Sequence, residues 1–212
     1  MERILGPRFY FEDLKKSDVR EIKNQWGVHD SELFIDYNLS LLSEYELSIW
    51  YMMKKRNYRK RYFTIRNFDD QLLGYIGLKN ISMGKKTAEL GIVLDPNCVN
   101  QKIGTDAIDL LLSYYFNEME MDKIYLDVNE FNHRAIRCYE KVGFEIELAH
   151  SILFENQNIN FNDPKYHHYR QYFEIENGKI YSKIWTMGLS RQDFHREVDY
   201  EIQNRKKQSG YW

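Results

Sequence analysis

Cysteine is scarce in this chain: of 212 residues only two are cysteine, Cys98 and Cys138. Two thiols build no disulfide framework, so a packed core must hold the fold and a reducing, cytoplasmic setting is the default expectation. Proline occurs three times, and no apolar run approaches the ~20 residues that a membrane span needs. Neither sign of charge dominates: 30 Lys+Arg against 32 Asp+Glu leave a formal charge of −2. That balance lacks the basic excess of a dedicated nucleic-acid binder, so neither nucleic acid nor membrane is expected as a partner. The opening MERILGPRFYFEDL lacks a basic-then-apolar leader with a small-residue cleavage site. Two phosphate-binding signatures are missing. Without G-x-x-x-x-G-K-[ST] a P-loop hydrolase is disfavoured, and without G-x-G-x-x-G after a first strand a dinucleotide-binding unit is too. Six histidines include the pair His167-His168, yet no zinc-like Cys/His spacing appears, and no metal is expected.

What the chain does have is apolar and aromatic mass. Hydrophobic residues make up 43% and aromatics 16%, with 17 Tyr and 12 Phe, enough for a real core. Tyrosine-rich clusters suit sheet packing better than base stacking, because interleaved Lys and Arg are few. RFYFEDL at 8–14 predicts a first strand, and Ser17-Asp18 caps a helix over VREIKNQW. The segment 27–42 shows no clear pattern. Ser43 predicts a cap for a helix over EYELSIWYMMKKRNY, acidic early and basic late as the helix dipole favours. RYFTIRN, QLLGYIGLKNI and TAELGIVLD predict strands, the last two forming a hairpin through Gly84-Lys85-Lys86.

After Asp95-Pro96 the character changes. Ile103 to Phe116 is apolar apart from Asp106, Asp109 and Ser113, which with Asn117 form one solvent stripe of a buried helix. KIYLDV alternates Ile124, Leu126 and Val128 as a strand does. Asn132 caps a short helix, HRAIRCYEK, that Gly143 ends. FEIELAHSILF is a further strand, 155–178 a polar excursion, and Asn177-Gly178 the turn into a last strand, KIYSKIWTMGLS. The expected fold is a single α/β (α+β) domain, residues 1–194, with a mixed sheet flanked by helices, followed by a charged tail at 195–212.

Two stretches carry chemistry. At 95–105 a strand ends, the chain turns, and a long helix begins, so free N–H groups and a positive dipole end face one point. Gly104 permits close backbone approach, Lys102 adds positive charge, and Thr105 adds a hydroxyl. Alone, this is also the strand-to-helix connection of any α/β protein. In the second stretch, Ala135 and Tyr139 lie four apart on one helical face, so a ligand has room beside a phenol that can donate a proton. Alone, Tyr139 reads better as a packed core tyrosine. Cys138 diverges from Tyr139 by about a quarter turn and is expected in the core rather than as a nucleophile.

Together, AELGIVLDPNCVNQKIGTDAIDLLL and IYLDVNEFNHRAIRCYEKVGFEIE resemble the GNAT acetyltransferase superfamily. The branch resembled includes ribosomal-protein N-terminal, spermidine and some aminoglycoside acetyltransferases. The likeness spans roughly Arg8 to Phe194, and its best motif is N-x-x-A-x-x-x-Y-E-K-x-G-F. The usual cofactor turn, Q/R-x-x-G-x-G/A, reads Val99-Asn100-Gln101-Lys102-Ile103-Gly104 here and keeps only its second glycine. The resemblance implies a mostly antiparallel sheet whose splayed strands form an acyl-CoA slot, with acetyl-CoA as donor and direct attack by a primary amine. Pantetheine would lie along Ile92, Val93 and Leu94, with Asn132 and Ala135 beside it. The pyrophosphate would sit on the backbone of Val99, Asn100, Gln101, Lys102, Ile103, Gly104 and Thr105. Glu89 is the expected general base, the N–H of Val93 or Leu94 the oxyanion donor, and Tyr139 the acid. The acceptor is expected to be a small amine or a protein N-terminus, and a homodimer is common in this branch. A non-catalytic acyl-CoA-binding or interaction protein on the same scaffold is the alternative.

Overall fold

The computed structural model describes residues 3–196. Nine strands form one sheet: β1 (Ile4–Leu5), β2 (Phe9–Asp13), β3 (Arg61–Asn67), β4 (Leu72–Ser82), β5 (Thr87–Leu94), β6 (Lys123–Asn129), β7 (Glu145–Leu153), β8 (Phe173–Glu176) and β9 (Lys179–Ser190). Their order is β1-β2-β3-β4-β5-β6-β9-β7, with β8 also pairing β9, and every pairing but β5–β6 is antiparallel. Four helices pack on it: α1 (Lys16–Gln25), α2 (Glu44–Lys54), α3 (Ile103–Ser113) and α4 (His133–Lys141). The mixed, mostly antiparallel architecture agrees with the sequence reading.

Both faces of the sheet are covered, which is why β3 and β4 are buried almost end to end rather than at alternate residues. One core lies under α3, where Ala107, Ile108, Leu111 and Leu112 are at most 1% exposed. Burial of each such aliphatic side chain is worth about 1.5–3 kcal/mol. On the opposite face α1 and α2 cover a second core of Val19, Ile22, Trp26, Leu47, Trp50, Tyr62 and Tyr75. Asp109, Ser113 and Asn117 stay exposed, as the solvent stripe requires.

Local chemistry explains most boundaries. Ser43 Oγ accepts from the Glu46 N–H at 3.3 Å while the Glu46 carboxylate accepts from the Ser43 N–H at 2.8 Å, a reciprocal cap for α2. Gly143, at φ 91°, ends α4, and Asn177 and Gly178, at φ 50° and 74°, make the β8–β9 turn. Three expectations shift. Helix α1 starts at Lys16, so Asp18 lies inside its first turn and accepts from the Lys15 N–H at 2.7 Å. Helix α2 stops at Lys54, because residues 57–60 turn back in a bridge. The excursion 155–178 is anchored rather than simply polar: Ile159, Phe161, Tyr166 and Phe173 join Leu33, Phe131, Phe154 and Ile180 in a third core. The tail expected from 195 lies mostly outside the described residues; 191–196 are helical, and Phe194 packs on Phe116 at 5.2 Å.

Candidate active site

Strands β5 and β6 run parallel for only three pairs, Thr87–Lys123, Ala88–Ile124 and Glu89–Tyr125. Beyond them each strand stays bound to its outer neighbour, β5 to β4 as far as Leu94 and β6 to β9 as far as Asn129, but not to the other. The sheet therefore opens into a wedge. A wedge inside a sheet leaves two strand edges with no strand partner, an arrangement made for a ligand that hydrogen-bonds as a strand.

A cavity of about 380 Å³ fills the wedge. Ile92, Val93 and Leu94 wall it from β5, and Asp127, Val128 and Asn129 from β6. Asn129 Oδ1 is buried with no hydrogen-bond partner, so the wall holds an acceptor that an incoming N–H can satisfy. The start of α3 closes one end through Val99, Asn100, Lys102, Ile103 and Gly104. Asn100 and Lys102 both adopt left-handed backbone, at φ 64° and 63°, which bends the chain just before the free N–H groups of α3. At Gly104 a Cβ would meet nothing closer than Leu94 Cδ1 at 3.5 Å and Cys138 Sγ at 4.0 Å. The glycine thus keeps cavity space clear rather than relieving a clash.

Helix α4 supplies another wall with Ala135, Cys138 and Tyr139, and Asn132 at its cap accepts from the Ala135 N–H at 3.2 Å. Tyr139 is 8% exposed, and burial pushes its phenol well above the ordinary value, so it keeps its proton. Cys138 borders the cavity as well as the core.

The fold thus gathers Ile92, Val93, Leu94, Val99, Asn100, Lys102, Ile103, Gly104, Asn132, Ala135 and Tyr139 around one cavity. Gln101, Thr105 and Glu89 do not border it. The Gln101 carbonyl accepts from Arg8 Nη2 at 3.1 Å on the outer side of the turn. Glu89 forms an ion pair with Lys79 and accepts from Asn80 Nδ2 at 3.0 Å. A second lysine feels Glu89 too: Lys54, within 4.6 Å of the Tyr62 ring centroid, is pushed down to about 8 chiefly by burial.

Sequence reasoning missed the far wall, made by His29, Phe34, Tyr37, Lys79, Ile152, Glu155 and Ile184. His29, Phe34 and Tyr37 come from the unpatterned segment 27–42, and Glu155 opens the excursion. The two segments hold each other: the Glu32 N–H donates to the Tyr166 hydroxyl at 3.2 Å and Lys165 Nζ to the Asp30 carbonyl at 3.2 Å. His29 is pushed below its ordinary value by burial and by Arg134, so it is neutral near pH 7. Burial also raises the Tyr37 phenol and the Glu155 carboxyl.

A sheet opened by one wedge, with a helix N-terminus at one end and a phenol on its wall, offers a cleft with free strand edges. Residues 8–145 match the acetyltransferase (GNAT) domain, and the chain belongs to that family. It is 30% identical to the spermidine N(1)-acetyltransferase of Escherichia coli K12 over 117 residues, 54% of this chain and 62% of that one. A shorter stretch of 43 residues is 49% identical to an aminoglycoside N(6')-acetyltransferase type 1 of Klebsiella pneumoniae, covering 20% and 21%. The matched region thus spans less than two thirds of these curated relatives. The fold resembles the spermidine N-acetyltransferase of Vibrio cholerae solved with CoA and spermine, with a TM-score of 0.65 at 21% identity, covering 89% and 99%. Among the described residues, no helix is long and apolar enough to cross a membrane.

Proposed function

We propose that this protein transfers an acetyl group from acetyl-CoA to a primary amine by direct attack within a ternary complex. The observation that carries the reading is the wedge: β5 and β6 part after three pairs, and the cavity between them is bordered by the start of α3 and by Tyr139. Pantetheine amides pair with the free edge at Ile92–Leu94, and one N–H finds Asn129 Oδ1. The pyrophosphate sits on the N–H groups that begin α3, with Lys102 as the neighbouring cation. The thioester then lies beside Tyr139. An amine attacks from the wall of Phe34, Tyr37 and Glu155, charge on the thioester oxygen is held by a β5 N–H, and the departing sulfur accepts the Tyr139 proton.

A phenol whose ionisation is pushed up gives its proton only as negative charge develops on the sulfur, so its effect belongs to the transition state. Tyr139→Phe is expected to lower kcat about 10–100-fold while changing the acetyl-CoA Kd less than about 3-fold. A wild-type kcat would return Tyr139 to core packing.

The acceptor is a small amine or a protein N-terminus, in a cytoplasmic setting, with a homodimer as the proposed assembly. Calorimetric titration with acetyl-CoA tests the slot, and the absence of micromolar binding would sink the reading. Thiol release across spermidine, an aminoglycoside and a peptide amine then identifies the acceptor. Lys102 in the place of a glycine favours one second reading, an acyl-CoA-binding protein without turnover. It predicts binding with no thiol release for any amine.

A further inference from the structure

The carboxylate expected to activate the amine, Glu89, stands outside the cavity and is held by Lys79 and Asn80. Two other carboxylates border the cavity, Asp127 and Glu155. Asp127 accepts from Thr186 Oγ1 at 2.6 Å. Glu155 follows Phe154, whose ring is 3% exposed in the third core and fixes the backbone at that point.

The Asp36 carboxylate acts on Glu155 and the Tyr37 phenol is close by, while Lys79, Lys102 and Arg134 border the same cavity. Glu155 borders the cavity while itself exposed, and a bound ammonium relieves the repulsion between it and the Asp36 carboxylate. Tyr37 is also within electrostatic reach of Tyr139, so one side chain relates Glu155 to the phenol across the cavity. Phe34 and Tyr37, with ring centroids 6.2 Å apart, border the same cavity and suit the carbon next to a charged nitrogen.

We propose that Glu155, rather than Glu89, receives the acceptor's alkylammonium and takes its proton. The inference rests on the acetyl-transfer reading. Glu155 accepts one proton from R–NH3+ and becomes a neutral acid; the freed lone pair forms the N–C bond while the carbonyl pair moves to oxygen. Collapse of the adduct breaks the C–S bond, and sulfur takes the Tyr139 proton. The surplus proton on the new amide nitrogen restores the tyrosine, and Glu155 returns its own proton to solvent. Burial helps, since a carboxylate whose proton affinity is raised toward the working pH is the better base.

The test compares Glu155→Gln with Glu89→Gln, using spermidine as the amine. Glu155→Gln is expected to keep the acetyl-CoA Kd within about 3-fold and lose about 100-fold or more in kcat/KM for spermidine. It should also abolish the acid limb of the kcat/KM profile, and Glu155→Asp should restore part of the rate. Asp36 and Tyr37 lie within electrostatic reach of Glu155, and His29, Lys79, Lys102, Asp127 and Arg134 border the same cavity, so persistence of that limb in Glu155→Gln assigns it to another carboxylate or to His29 and overturns the proposal. Glu89→Gln is expected to keep the limb and lose less than about 10-fold. The opposite ranking overturns the proposal as well. If the wild type binds acetyl-CoA but releases no thiol with any amine, the acetyl-transfer reading has failed by itself. Calorimetry with spermidine then decides the anchor, and equal or absent binding in wild type and Glu155→Gln overturns it.

Discussion

Lys102 stands at the N-cap of α3 with φ 63° and ψ 2°, backbone that a side chain tolerates poorly. A left-handed L-residue costs about 1–2 kcal/mol, part of which glycine gives back through its freer unfolded chain. The family's glycine has therefore been exchanged for a strained cation that borders the cavity. Strain without benefit is hard to keep, and the benefit we propose is an ammonium beside the coenzyme's pyrophosphate. Lys102→Gly is expected to raise unfolding stability by about 0.5–1 kcal/mol in urea titration. The same variant should weaken acetyl-CoA about 3–10-fold at low salt, with a smaller loss at high salt. Unchanged affinity at both salt concentrations would leave Lys102 with no part in binding.

Elements are tied together by charge where apolar packing does not reach. Arg66 of β3 is 5% exposed and pairs with Asp18 at 3.0 Å and Glu21 at 2.7 Å on α1, and with Glu12 of β2 at 3.4 Å. It also donates to the Asp70 carbonyl at 2.7 Å. Arg66→Met leaves Asp18, 3% exposed, without its cation, and should cost about 3–5 kcal/mol in denaturant unfolding. A loss below about 1 kcal/mol would mean that water or rearrangement rescues Asp18. None of this network is legible in RYFTIRN, because alternation gives a strand its period but not which face a second helix layer covers. What is legible is local. Ser43, Asn132, Gly143 and Asn177-Gly178 act through backbone groups within a few residues of themselves, and each caps or turns the chain where the sequence places it. Segments 27–42 and 155–178 resist reading for the opposite reason. Glu32 meets Tyr166 across 134 residues, and Leu33 of the first segment shares a core with Phe161, Tyr166 and Phe173 of the second. The proposed coenzyme side of the candidate site is thus written in local signals, while the proposed acceptor side exists only in the folded chain.

The molecule divides its stability among three cores, and the cavity has walls from different ones. Ile92, Leu94, Ile103, Ala135 and Tyr139 belong to or pack against the core under α3. Phe34 packs on the third core, and Glu155 is anchored beside it through Phe154. If these cores respond independently, loosening the third should blunt amine recognition and leave coenzyme binding intact. Phe161 offers the cleanest cut, since it is 8% exposed, meets Phe173 at 4.7 Å between ring centroids, and borders no cavity wall. Phe161→Ala should remove about 3 kcal/mol locally, seen as faster hydrogen exchange across 155–178 and 30–37. The KM for the amine should rise about 10-fold as Glu155 and Tyr37 lose their fixed positions, with acetyl-CoA Kd within about 2-fold of wild type. Should acetyl-CoA binding weaken in step with the amine KM, the two walls form one cooperative unit and the division by cores is wrong. Such independence would have a chemical reason: on the proposed reading, a fixed coenzyme slot with a separately built acceptor wall lets the same thioester chemistry meet different amines.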